Sequence, residues 1–193
     1  LREHGARATF FMVGEAASRH PDVVKRVAEE GHAIGNHSWD HSSFVTLTGR
    51  QRRTQMRAGS QAVAGYGDPL FRPPYGEQSI RSRVDALLLG YEVVAWSKCA
   101  HDWHGEEPGV IADRLSGQLE PGDIVLLHDS LYSPRGVDDR SLDREPTLKA
   151  VDMLLETWGD RLSFVTIPEL MRRGRVVREL WFWPVAAGST DIS

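Results

Sequence analysis

The sequence lacks the features that mark several large functional classes. A single cysteine, Cys99, among 193 residues excludes an internal disulfide framework and a cysteine-rich zinc cluster. The lone thiol reads as packed, and the redox compartment stays open. No apolar run reaches the roughly 18 residues needed to cross a bilayer, and the best stretch, Ile124-Val125-Leu126-Leu127, is closed off by Asp123 and His128. Basic excess is also missing. Lys and Arg number 23 against 27 Asp and Glu, a formal net charge of −4, so there is no footprint for a phosphate backbone and nucleic acid is not an expected partner. The expectation is a soluble chain of one domain, long enough to bury a core without covalent staples.

Strands and helices alternate along that chain. Leu1 to Gly5 reads as the last turn of a helix closed by glycine, so the sequence starts inside an element and shows no signal peptide of its own. A strand over Ala8 to Val13 follows, then a short helix from Gly14 to Arg19. A second helix opens on Pro21, with Val23, Val24, Val27 and Ala28 on one face, and stops at Gly31. His32 to His37 reads as a strand and its exit. Thr48 and Gln51 form a capping box, and the arginines that follow, Arg50, Arg52, Arg53 and Arg57, read as a solvated helix face.

Phe71 to Gly76 is a strand end turning into a loop, because each proline pushes its predecessor out of helix. Further helices are expected over Ser79 to Leu89, Pro108 to Leu119 and Pro146 to Trp158, with a short one from Pro168 to Gly174. Strands are expected over Tyr91 to Trp96, Asp123 to His128 and Leu162 to Thr166. Such alternation predicts an α/β fold with a parallel sheet or barrel. Ser130 to Glu145 is a loop long enough to be functional or mobile.

In α/β folds, sites lie beyond the carboxyl ends of strands, and the polar residues there are His37, Ser38, Asp40, His41, Arg72, Tyr75, His101, Asp102, Trp103, His104, His128 and Asp129. Two histidines four apart suit one cation of the zinc, cobalt or nickel kind; the alternative is a surface turn with two satisfied imidazoles. His128, at the end of an apolar strand, is either a general acid or base or a hydrogen-bonded core histidine. Arg72 either holds a carboxylate bidentately or salt-bridges at a rim. Asp102 beside Trp103 is either an acid against an apolar wall or a helix N-cap.

Together these segments resemble the polysaccharide deacetylase family, the NodB-homology carbohydrate esterases. Asn36-His37-Ser38-Trp39-Asp40-His41 matches its H-[ST]-x-x-H metal motif, and Arg72-Pro73-Pro74-Tyr75 its R-x-P-Y motif. Asp102-Trp103 matches the end of D-x-x-D-W, and Leu126-Leu127-His128 matches L-x-H. Order and spacing agree over nearly all of residues 1 to 170. The resemblance implies a distorted (β/α) barrel with its first strand missing, a deacetylase domain over 1–174 and a C-terminal tail over 175–193.

It further implies a metal-dependent enzyme that hydrolyses N-acetyl or O-acetyl groups of a carbohydrate polymer such as peptidoglycan, chitin or xylan, at an extracellular or cell-envelope location. His37 and His41 would bind a divalent metal, most often zinc, with Ser38 tying the loop between them. Arg72 would orient the catalytic base, and the backbone N–H of Tyr75 would help stabilise the oxyanion. Trp103 and Leu127 would flank the acetyl methyl group, and His128 would be the general acid, oriented and charged by Asp102.

Two departures stand out. The family's T-F-D-D motif, which supplies the base and a third metal ligand, has no counterpart and is expected on a strand before Leu1. Cys99 stands where D-x-x-D-W begins, and His101 and His104 are either replacements for the missing groups or exposed loop residues, the second being the expectation. These departures leave a second reading, a catalytically incompetent carbohydrate-binding relative, and a third, an amidohydrolase of small amides on the same fold.

Overall fold

A computed structural model describes residues 1–117, 119–132 and 143–178. They form two compact units, one of residues 8–95 with the described residues after 165, the other of residues 1–7 and 96–165. In the first unit the chain runs β1 (Thr9–Met12), α1 (Gly14–Arg19), α2 (Pro21–Glu29), β2 (Ala33–Asn36), α3 (Gly49–Ala62), β3 (Gly67–Phe71), α4 (Ile80–Leu88) and β4 (Glu92–Val93). The four strands form one parallel sheet in the order β1-β2-β3-β4, with Met12 opposite Asn36, Asn36 opposite Phe71, and Phe71 opposite Val93. A wholly parallel sheet with helical crossovers is the expected α/β class.

Local signals account for most of these elements. The Thr48 hydroxyl accepts from the Gln51 N–H, and the Gln51 side chain accepts from the Thr48 N–H at 2.9 Å, which starts α3 as its capping box requires. Pro21 sits at the first turn of α2. Val24, Val27 and Ala28 pack with Ala17, Ile34 and Val63 against the sheet. Val23 is instead about half exposed, because consecutive helical residues are turned by about 100° and only one of the adjacent valines meets the core. A second cluster, Phe44, Met56, Phe71 and Ala86, is buried between α3, α4 and β3.

The second unit contains a short parallel pair, β5 (Lys98–Cys99) with β6 (Val125–Leu126), then α5 (Pro108–Ser116) and α6 (Glu145–Trp158), which close over Ala100, Ile111, Leu115, Ala150 and Leu154. A last helix, α7 (Ile167–Arg173), belongs to the first unit. The strand expected over Leu162 to Thr166 does not form. Phe164 takes one backbone bond from Arg7 at 3.0 Å, too little for a ladder, and Thr166 caps α7 by accepting from the Glu169 N–H.

The arginine-rich face of α3 also differs from expectation. Arg50 and Arg57 are exposed, but Arg52 is buried. Arg52 bonds Asp85 of α4 through Nε at 2.8 Å, with Arg53 Nη1 on the other carboxylate oxygen at 2.5 Å. Most of the loop expected over Ser130 to Glu145, and most of the tail expected over 175–193, lie outside the described residues.

Candidate functional site

In the first unit, His37 and Arg72 directly follow the ends of the adjacent strands β2 and β3, so strand pairing brings them together. The Arg72 N–H donates to the Asn36 carbonyl at 3.1 Å, and His37 Nδ1 lies 2.7 Å from the Arg72 carbonyl. A carbonyl only accepts, so Nδ1 carries the proton and Nε2 is the lone-pair nitrogen of His37. The His41 ring stands edge-on to that of His37, with centroids 4.8 Å apart, and edge-on to Tyr75 at 4.6 Å.

The turn between the two histidines is set by backbone geometry. Ser38 and His41 adopt left-handed φ values of 68° and 58°, uncommon for non-glycine residues, and a set of buried bonds holds them there. Asn36 Oδ1 accepts from the Ser38 N–H at 2.9 Å, while Asn36 Nδ2 donates to the Met56 carbonyl and to the Tyr91 hydroxyl. Ser38 Oγ accepts from the His41 N–H at 3.1 Å. From α3, Gln55 Oε1 accepts from the N–H groups of Trp39 and Asp40, and its amide donates to Asp40 Oδ2 at 2.7 Å. Burial pushes the Asp40 carboxyl up, but hydrogen bonds from Ser42 and Gln55 leave it below its ordinary value.

Arg72 is buried, with Nε and Nη2 on the carbonyls of Val94 and Ala95 and its guanidinium 4.2 Å above the Phe11 ring. That ring packs on Gly35, where an added Cβ would lie 2.5 Å from two of its carbons. Burial pushes the Arg72 guanidinium down to about 9, which leaves it charged at neutral pH. Tyr75, expected to offer its backbone N–H, sits at φ 57° in a turn between the buried Pro74 and Gly76.

The two imidazoles suit a borderline cation such as zinc, cobalt or nickel, and the Nδ1–H of His37 on a carbonyl is the usual outer-shell arrangement of a metal-binding histidine. Among the described residues no group of three or more His, Cys, Asp or Glu is placed to hold a metal ion.

In the second unit, Asp102 follows β5 and His128 follows the adjacent β6. Asp102 is 1% exposed. Its Oδ1 lies 2.9 Å from His128 Nδ1, and its Oδ2 accepts from the His128 N–H at 2.8 Å. Burial raises the Asp102 carboxyl, but the hydrogen bond and charge of His128, with the nearby Arg144, outweigh it and hold the group below the usual range. An ionised carboxylate only accepts, which puts the shared proton on Nδ1.

The Trp103 ring is edge-on to His128 at 5.3 Å, and its buried indole N–H has no hydrogen-bond partner among the described residues. Leu127 is half-buried against the unit's core. His101 and His104 are exposed, as expected. Sequence reasoning missed Arg144, whose Nη2 reaches Asp102 Oδ2 at 2.5 Å and whose Nε reaches the His128 carbonyl at 3.2 Å. It also missed Gln55. Neither sits at a strand end, so the rule that located the other residues passes over both.

The family model for polysaccharide deacetylase matches residues 1–94. A peptidoglycan-N-acetylglucosamine deacetylase of Bacillus cereus is 35% identical over 182 residues, 89% of this chain and 78% of the relative. This chain belongs to the polysaccharide deacetylase family. A second peptidoglycan-N-acetylglucosamine deacetylase of Bacillus cereus is 33% identical over 91% of this chain, which spans 62% of that relative's length. Among solved structures, the Bc1960 peptidoglycan N-acetylglucosamine deacetylase superposes with a TM-score of 0.78 at 29% identity, covering 88% of this chain and 77% of the other. The fold is therefore that of the NodB-type deacetylases, the class expected from the motifs.

Proposed function

We propose that this chain carries the metal-binding histidines and the general acid of a metal-dependent deacetylase that hydrolyses N-acetyl groups of a carbohydrate polymer, with peptidoglycan N-acetylglucosamine as the leading substrate; the base and third metal ligand of the T-F-D-D motif have no counterpart among its residues. The observation that carries this reading is the Asp102–His128 pair, with Oδ1 2.9 Å from Nδ1 and the carboxylate buried. Amide hydrolysis breaks a C–N bond whose nitrogen is a poor leaving group until it receives a proton. An imidazolium whose Nδ1–H is held by a carboxylate delivers that proton from Nε2 and is left neutral with its remaining proton on Nδ1. The named activities of the Bacillus cereus relatives support the choice of polymer.

His37 and His41 would hold the divalent cation, zinc by the character of the donors, and Asn36, Ser38 and Gln55 fix the turn that presents them. When bound, such a cation polarises the acetyl carbonyl and activates water. Arg72 would supply a fixed positive charge to orient the base, the backbone N–H of Tyr75 would help stabilise the oxyanion, and Trp103 and Leu127 would flank the acetyl methyl group.

The test is acetate release from peptidoglycan, chitin oligomers and acetylated xylan, with and without zinc. Zinc-dependent release from peptidoglycan is expected of the chain joined to a strand that carries the T-F-D-D motif. His37→Ala should abolish zinc binding, and His128→Ala should lower turnover about 10²–10⁴-fold while zinc binding is retained. Polymer binding without acetate release from any of the three in the presence of zinc would refute the enzymatic reading in favour of a carbohydrate-binding protein.

A further inference from the structure

The Asp102 carboxylate divides its work between its two oxygens. Oδ2 accepts from the His128 backbone N–H at 2.8 Å, from Arg144 Nη2 at 2.5 Å and from the Thr147 hydroxyl at 3.3 Å, whereas Oδ1 meets His128 Nδ1. Three donors on Oδ2 settle which oxygen is turned towards the ring. Arg144 is the only charged group among those three. It is itself buried, at 9% exposure, immediately before α6.

The guanidinium also grips the backbone on both sides of the pair. Nη2 reaches the Asp102 carbonyl at 3.0 Å, Nε reaches the His128 carbonyl at 3.2 Å, and Nη2 lies 2.5 Å from Thr147 Oγ1. One planar fork thus ties together the loop after β5, the loop after β6 and the start of α6, a geometry a flexible ammonium does not reproduce at all its ends.

We propose that Arg144 is a positioning residue for the acid: by occupying and charge-balancing one oxygen of Asp102, it commits the other to His128 Nδ1 and so fixes Nε2 as the atom through which the proton passes. The proposal rests on the deacetylase reading for its purpose, but not for its test. Without the arginine, a carboxylate with no solvent contact lacks its balancing charge and tends to take up a proton. A protonated Asp102 donates instead of accepting, and the imidazole is then free to carry its own proton on Nε2. Among the described residues, the charged or titratable groups near the ring are Asp102, Arg144 and Asp129, with His101 and His104 across the Trp103 indole.

The experiment is nitrogen-15 NMR of the His128 ring in the full chain, recorded where the imidazole is neutral, so that the two ring nitrogens report the tautomer. The native protein is expected to show the Nδ1–H form in excess by at least about tenfold, since a hydrogen bond to a charged acceptor is worth a decade or more in an equilibrium. Arg144→Met keeps the packing of the stem and removes the charge, and should bring the two tautomers to within about threefold of each other. Arg144→Lys restores the charge on Oδ2 and should recover most of the Nδ1–H excess.

Each result decides the matter without reference to acetate release. A native excess of the Nε2–H form, or a native-like spectrum in Arg144→Met, overturns the proposal and leaves Arg144 as packing. If Arg144→Met does not fold, Arg144→Lys carries the test: loss of the Nδ1–H excess there, in a folded protein, refutes the role of the charge, and retention supports it. A protein with the expected tautomers but no deacetylase activity would keep the positioning role while ending the proposed function.

Discussion

Replacing Asp85 by alanine should cost far more than its place in a stretch of ordinary helical sequence suggests. The carboxylate is 7% exposed and receives Arg52 Nε at 2.8 Å and Arg52 Nη2 at 2.7 Å on one oxygen, with Arg53 Nη1 at 2.5 Å on the other. Arg52 is equally buried, at 7% of its side chain, whereas Arg53 is 37% exposed. Asp85→Ala therefore strands one buried guanidinium with the Leu47 carbonyl as its remaining acceptor among the described residues. Breaking a buried pair in this way costs about 3–5 kcal/mol, a large share of the roughly 5–15 kcal/mol that stabilises a typical domain. Arg53→Ala removes a partner that water screens, and should cost about 0–1 kcal/mol. Replacing both buried partners, Arg52→Met with Asp85→Leu, should recover most of the loss, because no charge is then left in the interior. Urea unfolding followed by circular dichroism, with the midpoint and slope fitted for each variant, measures all three. An Asp85→Ala cost below about 1 kcal/mol, or an Arg53→Ala cost equal to it, would mean that the carboxylate is effectively solvated and the argument from burial is wrong.

Two further outcomes follow from the sites. Gly59→Ala would ordinarily favour helix α3 by about 1 kcal/mol, but its Cβ would lie 2.5 Å from Asn36 Oδ1 and 2.8 Å from the Ser38 carbonyl. The variant should be net destabilised by about 1–3 kcal/mol and, on the proposed metal role of His37 and His41, bind zinc more weakly; thermal unfolding with zinc titration checks both. Because the folded state holds the Asp102 carboxyl below its ordinary value, the group stabilises the fold fully above the unfolded carboxylate value near pH 4. That stabilisation is lost as pH falls through the lower folded value. Wild-type stability should thus drop more steeply below about pH 4 than that of Asp102→Asn, and equal slopes in acid urea titrations would contradict it.

What the sequence revealed, and what it hid, follows from which interactions leave a local trace. Capping at Thr48, prolines at helix starts and apolar runs act within a few residues, and α1 to α4 and their strands fall where those signals put them. The strand-end rule likewise found His37, Arg72, Asp102 and His128, because parallel pairing carries neighbouring strand ends to one edge of a sheet. Strand β5 escaped because two residues, a lysine and a lone cysteine, make no recognisable run, and its only definition is its pairing with β6. Arg52 was misjudged for a related reason: a charge looks solvated along the chain until a partner 33 residues away is brought to it. Arg144 stands 42 residues from Asp102 and leaves no periodic signal at all. Composition and periodicity therefore locate the strand-end polar groups, whereas the groups that fix their geometry are chosen by distant pairing and have to be read from the folded chain. In this family member the second kind is concentrated around the Asp102–His128 pair and the His37–His41 turn, where a single lost contact would alter how an imidazole is held.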